Sequence, residues 1–105
     1  MEQPNLIYID KLANGDESVK KRLIEIIKTE FPKEKKEYLL SLENLDYKKI
    51  EENVHKLKHK ISILGLEKSY EIANKFEHKL RDQRLIDAKS FEGILIKISE
   101  YLKTI

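Results

Sequence analysis

Between Asn53 and Leu66 the chain reads NVHKLKHKISILGL, and Val54, Leu57, Ile61 and Leu64 recur there at three- and four-residue spacing. An apolar stripe of that period fits one face of an α-helix and does not fit a strand, whose side-chain repeat is two. A helix of this kind must bury its stripe, so the rest of the chain has to supply the surfaces that cover it. His55, His59 and Ser62 fall on the opposite side, with Lys58 between the two faces. Standing at i, i+3, i+4 and i+7, these four side chains are expected to form one solvent-facing row. Gly65 then suits the left-handed conformation that closes a helix.

The remaining segments repeat the same period. Leu6, Ile9 and Leu12, with Ile7 and Tyr8 beside them, predict a short first helix opened near Pro4 and closed by Asn14-Gly15. It is too short to stand alone and must lie against the domain. Asp16 is a good N-cap for a second helix carrying Val19, Leu23, Ile26 and Ile27 on one side. Pro32 removes a backbone donor and disfavours helical geometry at Phe31, so a kink or break is expected there. The PKEKKE segment restarts the helix, and Tyr38, Leu42 and Leu45 resume the stripe.

Asp46 caps the helix that holds His55, with Tyr47 and Ile50 leading into its buried side. After Gly65 another helix turns Leu66, Ser69, Ile72, Ala73, Phe76 and Leu80 inward, with Ser69 its weak point. The polar run from Arg81 to Arg84 ends it. Asp87 caps a last helix whose inner face is Phe91, Ile94, Leu95, Ile98, Leu102 and Ile105. There is no strand-like alternation and no internal repeat. Short connections between long helices favour antiparallel neighbours, so the expected fold is all-α: an up-down four-helix bundle with a short additional N-terminal helix.

Residues 1–105 suffice for one domain with one core. With only three Gly and two Pro, and 38% charged residues against 40% apolar, long amphipathic helices are favoured. The 21 basic and 19 acidic residues nearly cancel, leaving +2, a balance that gives no support to a nucleic-acid binder. The chain has no cysteine, which excludes disulfides and thiol chemistry and suits a reducing cytosol. MEQPNLIYID carries acid where a signal peptide carries base, and no apolar run reaches membrane-spanning length. A cytoplasmic protein, monomeric and away from membranes, is the expectation, either as a free domain or as part of a longer chain.

In their order and spacing these residues resemble the histidine-containing phosphotransfer (HPt) domain of phosphorelays and hybrid sensor kinases. Gly15-Asp16 stand where that family opens its second helix, Pro32 where a proline follows an apolar segment, and Asp46-Tyr47 where an Asp-aromatic pair opens the active helix. Val54-His55-Lys56-Leu57-Lys58, then Leu64-Gly65, occupy the positions of the family's core motif. Phe76-Glu77 fill the place of a later Leu-Glu pair. The resemblance runs from about Leu6 to about Leu80, and the last helix matches only in general character.

The resemblance implies that His55 accepts the phosphoryl group, that Lys58 steadies it, and that Gly65 keeps a structural role. The partners would be response-regulator receiver domains, with a hybrid histidine kinase a further partner the family allows. The receiver would bring Mg²⁺ and most of the catalytic electrostatics, so no cofactor is expected on this chain. The chemistry of the residues agrees. Neutral imidazole, with an ordinary pKa of about 6.5, is a good nucleophile near neutral pH, and a nearby ammonium attracts phosphoryl oxygens.

One position departs from the family. His59 and then Lys60 stand where it has glycine and, often, a small polar residue. His59 would either swing aside and bond the phosphoryl oxygens, restrict docking to partners with a matching cavity, or make a poor carrier. Lys56, Lys58 and Lys60 read either as a solvated face or as a patch steering an acidic receiver. Together with Ser62, and with Ile63 if it does not pack under the N-terminal helix, they are the candidate docking residues. His55 and His59 could share a metal, but Lys56 stands where zinc-protease helices carry Glu, and the lysines oppose a cation. Glu77 and His78 read most simply as surface residues. A binding module that keeps the fold and docks receivers without phosphotransfer is the alternative.

Overall fold

The computed structural model describes residues 2–105, with α1 at Ile7–Ala13, α2 at Glu17–Glu43, α3 at Tyr47–Ile63, α4 at Glu67–Leu80 and α5 at Ala88–Leu102. The described residues contain no strand, and no helix is long and apolar enough to cross a membrane. Helix α2 packs on α3, α3 on α4, α4 on α5 and α5 on α2, while α1 lies on α2. On α2 and α3, Ser41 meets Asn53 and Glu30 meets Lys60. On α3 and α4, His55 meets Glu77 and Lys58 meets Asn74. In both pairs residue numbers rise on one helix as they fall on its neighbour. The core is a single cluster in which Tyr38 packs edge-on against Phe91, with ring centroids 5.1 Å apart, and Phe76 lies 5.4 Å from Phe91. The Tyr38 hydroxyl finds no hydrogen-bond partner there, and burial pushes its pKa up.

Local signals set several boundaries. The Asp16 carboxylate accepts from the backbone of Ser18 and Val19 at 3.0 and 3.2 Å, closing two of the free donors of α2. Asp46 accepts from the Lys49 backbone at 3.3 Å and does the same for α3. Gly65 takes a φ of 75° after α3, in the left-handed region that favours glycine.

The expected break at Pro32 does not occur: α2 is one helix through Phe31 and Pro32. A proline inside a helix costs about 3 kcal/mol. Phe31 and Tyr38, two turns apart on that helix, are both buried, and burying large apolar side chains contributes roughly 1.5–3 kcal/mol each. Pro32 itself faces solvent, so its ring meets no core packing.

Other apolar residues depart from their expected stripes. Leu12, Val19 and Ile26 are exposed because α1 is a short cover that buries only Ile9 and Ala13. Ile72 lies at the edge of the stripe formed by Ser69, Ala73, Phe76 and Leu80. Leu45 belongs to the left-handed turn between α2 and α3, at φ 52°, and is exposed. Asp87 heads α5 without capping it; its carboxylate pairs with Lys79 at 2.9 Å instead.

The first residues serve α4. Leu66 stands at its N-cap and has no side chain able to accept, but Glu2 reaches across and accepts from the Lys68 and Ser69 backbones at 3.0 and 2.7 Å. Burial raises the Glu2 pKa, and the hydrogen bonds from Lys68 and Ser69 outweigh that, so the net shift is downward. The Asn5 amide donates its backbone N–H to the Leu64 carbonyl at 2.9 Å, and its side chain fills the space a Cβ on Gly65 would need.

Candidate functional site

The site arises where α3 lies against α4. Helix α3 turns Ile50, Val54, Leu57 and Ile61 into the core, which leaves His55, Lys58 and His59 on its flank and outer face. Helix α4 buries Ala73 and Phe76, which brings Asn74 and Glu77 to the same seam. Numbers running in opposite senses then set His55 against Glu77 and Lys58 against Asn74.

Glu77 joins the two α3 residues through one oxygen. Its Oε1 lies 3.1 Å from His55 Nδ1 and 3.2 Å from Lys58 Nζ. Lys58 also donates to Asn74 Oδ1 at 3.1 Å, and its ammonium sits 5.5 Å from the centre of the Tyr70 ring. Burial raises the Glu77 pKa, but hydrogen bonds from Lys58 and His55 outweigh it and hold the carboxyl below its ordinary value. Glu77 is therefore ionised at neutral pH and can only accept. The proton of a neutral His55 belongs on Nδ1, donated to Glu77, and Nε2 carries the lone pair. The His55 side chain is 53% exposed while Glu77 is only 9% exposed, so a ring fixed from below is open from above. Beside it an open depression of about 460 Å³ is lined by Glu51, Glu52, His55, Lys56, Glu77 and Arg81.

The expected row of His55, Lys58, His59 and Ser62 is broken at Lys58, and the lysines Lys56, Lys58 and Lys60 do not form one solvated face. Lys58 is buried in the α3–α4 seam. Lys60 is buried too, paired with Glu30 at 2.9 Å and Glu34 at 3.4 Å on α2. Both lie at the edges of the stripe, where acids from the neighbouring helices reach them, so each charge is matched before a partner arrives. Lys56 alone of the three stays exposed, 4.0 Å from Glu37. Ser62 is exposed, whereas Ile63 is partly buried and shares a small cleft with Ile9, Leu12 and Leu23.

His59 is exposed and packs edge-on against His55, with ring centroids 4.8 Å apart and planes 74° from parallel. It occupies the flank of the imidazole where a glycine would leave space. His78 is exposed and engages its own helix, with Nδ1 2.8 Å from the Asn74 carbonyl. No three His, Asp or Glu side chains among the described residues are grouped as a metal site requires.

Glu77, read from the sequence as a surface residue, is buried and central. Asn74 and Tyr70 join the site only because α4 packs on α3 and brings them to Lys58. One signal was present: Lys58 and Glu77 each directly follow a core residue, Leu57 and Phe76, so each stands at the edge of its stripe with opposite charge. Only the pairing of the two helices brings these edges together. No family model, curated protein or solved structure matches the chain.

Proposed function

We propose that this chain is an HPt-type phosphocarrier that accepts a phosphoryl group on His55 from a receiver-domain aspartate and passes it to another receiver. In this reading α2 to α5 form an antiparallel up-down four-helix bundle, with α1 as a short addition. The observation that carries the proposal is the hydrogen bond from His55 Nδ1 to Glu77. It leaves Nε2 of an exposed ring as the free nucleophile and aims it away from the bundle.

The chemistry follows from that arrangement. Nε2 attacks phosphorus in line, the N–P bond forms, and the bond to the aspartyl oxygen breaks with its electron pair leaving on the carboxylate. Positive charge grows on the imidazole as the bond forms. The ionised Glu77 lies against the Nδ1 proton and offsets that charge at a position fixed in advance. Lys58 anchors Glu77 and, with His55, holds its carboxyl ionised beneath the ring. The receiver contributes Mg²⁺ and the leaving carboxylate, so this chain needs no nucleotide loop, and none is present in its sequence. Lys56, His59 and Ser62 form the exposed docking surface, while Lys60 is tied to Glu30 and Glu34 and Ile63 packs toward α1 and α2. A cytoplasmic, monomeric carrier fits this role.

A second reading has its own observation. The His59 ring stands against His55, which favours a module that docks receivers without turning over phosphate. The two are separated by transfer from a panel of labelled phospho-receivers to the wild type, His55→Gln and His59→Gln. Acid-labile label on the wild type that is lost only in His55→Gln supports the carrier. Binding of a receiver without any label supports the docking module, and label that depends on His59 moves the acceptor there.

A further inference from the structure

A second feature lies on the side of the molecule away from His55. Where α2 meets the end of α5, an open trough of about 470 Å³ runs along the surface. Its apolar walls are Phe31, Pro32 and Leu39 from α2 and Leu102 from α5. Around them stand four lysines, Lys28, Lys35, Lys36 and Lys103, and no acidic residue lines the trough.

What marks these lysines is that four of them share one surface with no acidic side chain among them. Other lysines, Lys20, Lys56, Lys58, Lys60 and Lys79, pair with an Asp or Glu side chain. Among the described residues, none of the four trough lysines has such a side chain within 4.0 Å. Lys35 donates to the Ser99 hydroxyl and Lys28 to the Ile105 carbonyl. Those bonds hold the ammonium groups at the rim.

We propose that this trough docks an acidic amphipathic helix of a partner protein. The α2 wall recurs at residues 28, 31 and 32, 35 and 36, and 39, which is three turns of one helix face, about 16 Å at a rise of 1.5 Å per residue. Phe31, Pro32 and Leu39 give that face its apolar floor and Lys28, Lys35 and Lys36 its charged edge, a length that suits a docked amphipathic helix with apolar anchors at i, i+3, i+4 and i+7. The lysine rim selects acidic residues on its flanks and steers their approach. A small ligand would need walls that bury most of its surface, and this trough is open along its length. The site lies on α2 and α5, so it can be occupied while α3 and α4 engage another partner.

The test uses a synthetic helical peptide with Leu at helical spacing on one face and Glu on the other, titrated into the ¹⁵N-labelled full chain. Its control carries Lys at every Glu position. The proposal expects shifts confined to residues 28–39 and 99–103 and no comparable binding of the Lys peptide. Lys35→Glu/Lys36→Glu, with its folding verified by circular dichroism, should lose about tenfold in affinity or more. His55→Gln should bind as the wild type does. Shifts centred on His55, equal binding of the Lys peptide, or an unchanged charge-reversed variant would overturn the proposal. So would decanoate occupying the trough while the peptide does not bind, or concentration-dependent self-association that the charge reversal abolishes.

Discussion

His55 and Glu77 stand 22 residues apart in sequence and 3.1 Å apart in space, with the imidazole Nδ1 against a buried carboxylate oxygen. That one bond orients the ring, fixes which nitrogen carries the proton and turns the other toward solvent. Because the same oxygen holds Lys58, the orientation of His55 depends on an ion pair inside the bundle.

Glu77→Gln keeps an acceptor for His55 and leaves the buried Lys58 ammonium without its counter-charge. Removing one partner of a buried ion pair costs about 3–5 kcal/mol, and a loss toward the lower end is expected in urea unfolding because Asn74 still accepts from Lys58. The double variant Glu77→Gln/Lys58→Met should regain most of that loss. A double variant less stable than Glu77→Gln would contradict the assignment of the cost to an unpaired lysine.

Stability should fall in acid through Glu2 and Glu77, both held below their ordinary value of 4.5. A carboxyl depressed in the folded state contributes stability at pH above its unfolded value and loses it as pH falls through the folded one. Unfolding midpoints should therefore hold steady from neutral pH down to that ordinary value and drop below it. Glu2→Gln should flatten part of the drop and cost about 1 kcal/mol at neutral pH, the usual worth of a helix cap. A variant with the wild-type acid slope would mean that Glu2 does not cap α4 in solution.

Pro32→Ala restores a backbone donor within a helix that is already continuous. A gain of about 2 kcal/mol is expected, somewhat below the full helix penalty of proline, because the local geometry has adapted to the ring. Thermal or urea unfolding checks this. A loss of stability would indicate that the proline ring contributes packing that the exposed position does not suggest.

Gly65→Ala meets two obstacles. Its φ is 75°, and its new Cβ would come within 2.6 Å of the Asn5 side chain. The left-handed conformation alone costs about 1–2 kcal/mol for a residue with a Cβ. Adding Asn5→Ala should relieve the contact and leave the conformational cost in place, so rescue measured by urea unfolding should be partial. Complete rescue would show that the strain is only steric.

The features that were legible in the sequence are those decided within a few residues. Asp16 and Asp46 cap their helices, Gly65 ends α3, and the inner face of α5 is the one its spacing indicates. Pro32 misled because its local cost is outweighed by the burial of Phe31 and Tyr38, which depends on helices far along the chain. Lys58 and Lys60 misled for a related reason. A lysine at the edge of a stripe looks solvated until an acid from the next helix reaches it, and Glu77, Glu30 and Glu34 come from other helices. His55 stands out in the sequence by its surroundings, whereas Glu77 meets it only through the α3–α4 pairing.

The most direct test of the account is to locate phosphorus on the protein after transfer from a phospho-receiver, using ³¹P and ¹⁵N coupling on ring-labelled histidine. The account predicts a single phosphohistidine at His55, bonded through Nε2, with Nδ1 still protonated toward Glu77. Phosphorus on Nδ1 of His55, on His59, or on no histidine at all would contradict it.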